Sequence, residues 1–240
     1  LGATPVFVDI DPATFNLDPA RLEQALAKLE KNHPMGSDGT VKGIITELEQ
    51  QTGIKVPQRA VDAALADPAK LIDVLQVSRA QRMVDPQTTM SLRELVDGVL
   101  ERLAATIERA GATVEVRGAF PELRLDRTWA EPALQNLLAN ALKFTREGQP
   151  PAITVEPYVE GARAGLTVTD EGPGIAPEHA ERIFGLFQRA VGRDVPGTGA
   201  GLAITRQIAE AHGGWAWAEE HDGGARLVLT FSGGPPGGGR

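Results

Sequence analysis

The sequence has no cysteine. This excludes disulfides and thiolate metal sites, and it fits a reducing cytoplasm. Positive charge is also short: 24 Lys and Arg stand against 32 Asp and Glu, a net charge of −8. A nucleic-acid binder with a broad basic face needs the opposite balance. No apolar run approaches the roughly 18–20 residues needed to span a bilayer, and no signal-peptide pattern is visible. The chain begins at Leu1 rather than a methionine, as a fragment of a longer protein would. What is present suits one or two globular domains with enough residues to bury a core: 240 residues, 42% hydrophobic and 23% charged.

Residues 1–28 read as a strand ("PVFVDI"), a turn and a helix that starts at Asp18-Pro19. Residues 29–40 are a break by composition, and 41–83 hold two helical patterns, the second interrupted at Pro68. The signals sharpen from residue 88. "SLRELVDGVLERLAATIERAG" opens with a capping box, Ser91 and Glu94, keeps helical apolar spacing and stops at Gly111. Strands are expected at "TVEVRG" and "ELRLD", a second long helix over about 130–145, then strands around 152–158 and 165–170. A short helix, a glycine-rich loop, a helix over about 200–212 and the strands "WAWAEE" and "ARLVLTF" close the domain. Strands and helices mix without strict βαβ alternation, which predicts an α+β fold, a two-layer α/β sandwich with one mixed sheet. Before it stands a mainly helical region, and the tail 232–240 reads as disordered.

Three stretches carry chemistry. In "LQNLLANALKF", successive helical residues turn by about 100°. Leu134, Leu137, Leu138, Ala141 and Leu142 therefore share a stripe, and Asn136, Asn140 and Lys143 form a polar line opposite it. That line reads either as a solvated face or as a metal–phosphate site. An Asn oxygen is a hard ligand suited to Mg²⁺, and a lysine one turn on can neutralise phosphate. In "GLTVTDEGPGI", Asp170 is in phase with Leu166 and Val168, so its carboxylate points toward the core and needs a partner. A turn aspartate bonding its own amides and an acceptor for a purine amino group both satisfy that need. Gly172 and Gly174 let backbone approach a ligand. In "GTGAGL", three glycines alternate ahead of a helix whose first amides favour anions. No Gly-Lys-Ser/Thr follows, so it is not a P-loop, and it is a poor match to the dinucleotide fingerprint.

In combination, residues 88–231, about three-fifths of the chain, resemble the catalytic and ATP-binding domain of sensor histidine kinases, with the Bergerat fold of the GHKL superfamily. "NLLANALKF" is similar to the N box, "DEGPGI" to the G1 box, "IFGLFQR" to the F box and "GTGAGL" to the G2 box, in the family's order. The resemblance implies an ATP site. Asn140 would hold Mg²⁺ with Asn136 assisting, and Lys143 would contact phosphate. Phe144 would pack near the ribose or base. Asp170 would accept the adenine amino group, with Gly172, Gly174 and Ile175 beside it. Phe184 and Phe187 would anchor a lid, although packing is the commoner role of a phenylalanine. Gly197, Thr198, Gly199, Ala200, Gly201 and Leu202 would hold the triphosphate, and Arg189 or Arg193 would reach the γ-phosphate. His212 and His221 are expected to be structural or exposed. Hydrolysing members such as DNA gyrase carry a Glu one turn before the metal Asn, to activate water. Here that residue is Asn136, which favours phosphotransfer to a side chain over hydrolysis.

The implied activity is transfer of the γ-phosphoryl of ATP to a histidine, in the cytoplasm or the cytoplasmic part of a longer sensor. The implied partners are a phosphoacceptor hairpin, in cis or in trans, and a response-regulator receiver domain. A homodimer is the family norm; neither nucleic acid nor a membrane segment is expected. The chain departs from the family upstream. Its one upstream histidine, His33, sits in "NHPMGSDGT", a loop composition rather than a hairpin helix. "LIDVLQVSRAQRM" resembles the end of a second hairpin helix, so 29–87 reads as a helical linker or a degraded hairpin. Pro132, early in the N-box helix, predicts an irregular first turn. Residues 1–27 resemble a segment of PLP-dependent sugar aminotransferases but contain no counterpart of the PLP lysine, so no Schiff-base chemistry is expected from them. The alternative to an autokinase is a regulatory GHKL module that acts on another protein.

Overall fold

A computed structural model describes residues 61–62, 88–185 and 200–236. The chain divides into two units, Leu1–Ile72 and Asp73–Arg240, and the strands and helices below belong to the second. The expectations for residues 1–60 and 63–87, His33, Pro68 and "LIDVLQVSRAQRM" among them, for Phe187, Arg189, Arg193, Gly197, Thr198 and Gly199, and for residues 237–240 lie outside the described residues.

Strand β1 (Thr88–Ser91) leads into helix α1 (Leu92–Ala110), followed by β2 (Thr113–Val116) and β3 (Glu122–Leu125). Helix α2 (Arg127–Lys143) precedes the long hairpin β4 (Ala152–Glu160) and β5 (Arg163–Asp170). Two 3₁₀ turns, Pro177–His179 and Arg182–Phe184, stand where one short helix is expected. Helix α3 (Gly201–Ala211) and strands β6 (Ala216–Glu219) and β7 (Ala225–Thr230) complete the order. The main sheet runs β2-β4-β5-β7-β6. Only the β2–β4 pair is parallel, so the sheet is mixed, while β1 and β3 pair apart from it. The result is the α+β two-layer sandwich read from the sequence.

Local chemistry sets the helix ends. Ser91 caps α1, but its hydroxyl accepts from the Arg93 amide rather than from Glu94 as a capping box would have it. Gly111 closes the helix at φ 62°, a left-handed conformation that glycine adopts without strain. Helix α2 starts three residues earlier than the pattern suggests, at the Asp126 cap, whose carboxylate accepts from the Thr128 amide. Pro132 therefore lies inside the helix and not in its first turn. Leu134, Leu137 and Leu138 are fully buried between the sheet and the other helices, beside Val155, Leu166 and Val168 of the sheet. Truncating any one of these leucines to alanine costs about 2–5 kcal/mol, as for other core cavities.

His212, just past α3, ties the two ends of the helical layer. Its Nε2 accepts from the Asp126 amide (3.0 Å), so its Nδ1 carries the proton and donates to the Ile208 carbonyl (2.8 Å). The ring also meets Phe231 edge-on at 5.2 Å. Burial pushes the His212 pKa below its ordinary value of 6.5, against opposing pulls from the Ile208 carbonyl and Asp126. A folded pKa below the unfolded one means that the unfolded chain binds the proton more readily. His212 thus contributes its stability above about pH 6.5, and the contribution fades as pH falls from there through the folded pKa. Unfolding midpoints measured between pH 7.5 and 5 should decline more steeply for the parent than for His212→Gln.

Candidate nucleotide-binding site

The C-terminal half of α2, the end of β5 with its following turn, and the first turn of α3 supply the residues of the site. On α2, Leu134, Leu137, Leu138 and Ala141 are buried and Leu142 is partly so, while Asn136 and Asn140 are half-buried and Lys143 is exposed. The polar line expected from the 100° rotation is therefore present. The Asn136 amide donates to the Gly201 carbonyl at 3.1 Å, which joins this line to α3. The Lys143 ammonium lies 4.9 Å from the centre of the Phe144 ring. Ala200, Gly201 and Leu202 bring the start of α3 to the same place, and no side chain caps this helix.

Asp170 is 8% exposed at the end of β5, paired with Ile153 on one side and Ala225 on the other. Its Oδ1 accepts from the amides of Gly172 (2.8 Å) and Ala225 (3.3 Å). Among the described residues no donor reaches Oδ2. Burial raises the carboxyl's pKa above its ordinary value, partly offset by the two amides and by His221. The turn reading of this aspartate is present in the structure: it braces its own turn through Oδ1.

The turn is built by close backbone approach. A Cβ on Gly172 would stand 2.2 Å from the Phe144 carbonyl oxygen, and Gly174 adopts φ 81°. Ile175 packs against the core. Arg146 clamps the turn from outside, donating from Nε to the Gly172 carbonyl (3.1 Å) and from Nη2 to the Gly223 carbonyl (2.9 Å). Gly224 fits against the Asp170 carbonyl, where a Cβ would lie 1.7 Å from the oxygen. Arg146, Thr205, Gly224 and Ala225 were not singled out from the sequence. "DGG" signals a turn, but nothing local says that the turn abuts residue 170.

A cleft of about 770 Å³ borders the site, lined by Arg146, residues 173–177 and residues 220–224. It reaches Gly174 and Ile175 but none of Asn136, Asn140 or Asp170, and Glu220 and Asp222 on its wall repel phosphate. The α2 line and the start of α3 lie outside the lining of this cleft. Phe184 is buried under the Arg206 guanidinium, 4.2 Å from the ring centre. Arg206 also lies over Trp215, pairs with Glu181 and donates to the Ala216 carbonyl, which fixes the 3₁₀ turn that carries Phe184.

Residues 125–234 match the family model described as histidine kinase-, DNA gyrase B-, and HSP90-like ATPase. A second model, the DegT/DnrJ/EryC1/StrS aminotransferase family, matches residues 1–64, a longer stretch than residues 1–27. Among curated proteins, the chain is 32% identical over 197 residues to the methanogenesis regulatory histidine kinase FilI of Methanothrix harundinacea (strain 6Ac), covering 79% of this chain and 22% of FilI. Among solved structures, it resembles the mycobacterial sensor histidine kinase MprB (30% identity, TM-score 0.52, 60% of this chain and 97% of that one). It is also similar to the catalytic domain of histidine kinase ThkA (28% identity, TM-score 0.53, 62% and 96%). The chain belongs to the histidine kinase-, DNA gyrase B- and HSP90-like ATPase family, and its second unit is an ATP-binding domain of the histidine-kinase type. It spans about a fifth of the length of the curated relatives it matches.

Proposed function

We propose that residues 88–231 form the catalytic domain of a two-component sensor kinase, transferring the γ-phosphoryl of ATP to a histidine. The observation that carries this reading is Asp170: a buried carboxylate with one oxygen held by two amides and the other open to a donor. An adenine amino group is such a donor. With adenine there, the phosphates extend toward Asn140, Lys143 and the uncapped start of α3, whose amides favour anions. In the transfer, a histidine nitrogen bonds to the γ-phosphorus, the bond from phosphorus to the bridging β-oxygen breaks, and ADP leaves. The protein's part is positioning and charge neutralisation.

Asn140 is the candidate ligand for Mg²⁺. Among the described residues no group of three or more His, Cys, Asp or Glu can hold a metal. The donor set suits a cation that arrives with the nucleotide and keeps several waters. When bound, it would neutralise charge on the β- and γ-phosphates. Lys143 adds a second cation, and Phe144, Gly197, Thr198, Gly199, Phe187 and Arg189 complete the proposed site as the family resemblance implies. Asn136 cannot serve as a general base, which disfavours hydrolysis by water.

ThkA has been solved in complex with the response regulator protein TrrA. We assign the same kind of partner here, a receiver domain, together with a cytoplasmic location and a phosphoacceptor hairpin in cis or in trans. Either arrangement is compatible with this reading. Isothermal titration with a non-hydrolysable ATP analogue tests the site: Asn140→Ala should abolish most of the Mg²⁺-dependent gain in affinity and spare Mg²⁺-free binding. Radiolabelled ATP tests the acceptor. The isolated chain should bind ATP yet take up little acid-labile label, and strong labelling of His33 would overturn that expectation.

A further inference from the structure

The carbonyl of Gly201, the first residue of α3, receives two side-chain donors. One is the Asn136 amide (3.1 Å) and the other the Thr205 hydroxyl (3.0 Å), which also lies 3.3 Å from the Ala133 carbonyl of α2. Thr205 is fully buried. A hydroxyl has one proton, so it serves one of these two carbonyls at a time. When it turns to Ala133, Asn136 is the remaining side-chain donor on Gly201. A Cβ on Gly201 would be 3.5 Å from the Asn136 side chain, so the two helices are in contact at this point. No side chain caps α3, and beside the buried Ala200 and Ile204 this bond ties its first turn to α2.

We propose that Asn136 is a positioning residue: its amide holds the first turn of α3 against α2, and the metal is left to Asn140. This rests on the reading that the triphosphate meets the start of α3. It also explains why an amide suits the place where hydrolysing relatives have a carboxylate. A carboxylate in the position of the Asn136 amide would set oxygen against the Gly201 carbonyl oxygen, with no proton between them.

The two roles separate in Asn136→Asp, which keeps the shape and makes a better Mg²⁺ ligand but removes the donor. Asn136→Ala removes the donor without adding charge near phosphate. Thr205→Val removes the other donor from a buried place away from the polar line. Hydrogen exchange of the amides at 201–205 is read first, in protein free of nucleotide and Mg²⁺, followed by binding of Mg²⁺-ATP and of adenosine. Positioning by Asn136 predicts that both Asn136 variants speed exchange at 201–205 and weaken Mg²⁺-ATP by about tenfold, the scale of one hydrogen bond, while adenosine binding holds. Thr205→Val should act in the same direction, with Asn136→Ala/Thr205→Val costing less than the two singles added. Unchanged exchange in Asn136→Asp, with Mg²⁺-ATP affinity kept, would overturn the proposal in favour of a metal ligand. If the parent binds neither ATP nor adenosine, the nucleotide reading fails, and the exchange data still decide whether Asn136 holds α3. Should Asn136→Ala unfold, Asn136→Asp carries the comparison.

Discussion

Asp170→Asn should weaken ATP-analogue binding by about 10–150-fold, the equivalent of the roughly 1.5–3 kcal/mol of a hydrogen bond to a charged group. The substitution leaves the turn intact, because the amide oxygen can take the place of Oδ1 and accept from Gly172 and Ala225. What changes is the second atom, which becomes an NH₂ and opposes the ligand's amino donor. The loss is therefore specific to binding. Stability should move the other way. Burial raises the carboxyl's pKa above its ordinary 3.8, so the folded state binds the proton more readily than the unfolded one. Above its folded pKa, the ionised Asp170 thus costs stability, a cost relieved as pH falls toward the unfolded value. At neutral pH the nucleotide-free Asn variant should melt no lower than the parent, the exchange of stability for function common at binding sites. A thermal scan beside the titration checks both. Lower melting with unchanged affinity would show that Asp170 only braces the turn.

Gly224→Ala should be the most damaging single substitution for the fold around the site. Its Cβ would sit 1.7 Å from the Asp170 carbonyl oxygen and 2.9 Å from the Glu171 Cα, and both are backbone atoms that no rotamer change can move. Relief requires separating the β6–β7 turn from the end of β5. Overpacking of this kind costs about 1–3 kcal/mol or more, and 3 kcal/mol corresponds to a fall of about 6–12 °C in Tm for a domain of this size. Gly223→Ala is the control. That glycine has φ 97° but nothing within 4 Å of the added atom, so it should lose only the roughly 1–2 kcal/mol of a left-handed backbone. Differential scanning calorimetry of the pair isolates close approach from conformation. Equal melting of both variants would show that the turn is not pressed against Asp170 in solution.

These two predictions divide along the line between what periodicity encodes and what it does not. Asp170 was visible because a strand alternates with a period of two, and a carboxylate in phase with Leu166 and Val168 must face inward. The two faces of α2 were visible because 100° per residue separates Leu134, Leu137 and Leu138 from Asn136 and Asn140. Gly224 was not visible, since its role depends on β7 pairing with β5, a contact between residues 55 apart in the bond from Ala225 to Asp170. Arg146 has the same difficulty: its two acceptors lie 26 and 77 residues away, and an arginine after a helix carries no mark of them.

By itself, then, the sequence determined the periodic elements, the inward carboxylate, the polar line on α2 and the order of the glycine-rich turns, because each is a local consequence of rotation per residue or of a missing side chain. The tertiary structure decided that His212, at the end of α3, takes the Asp126 amide at the start of α2, 86 residues away. It also decided that Asn136 spends its amide on Gly201, 65 residues further along the chain. Both depend on which helix ends meet across the layer, and chain separation hides that from any local pattern.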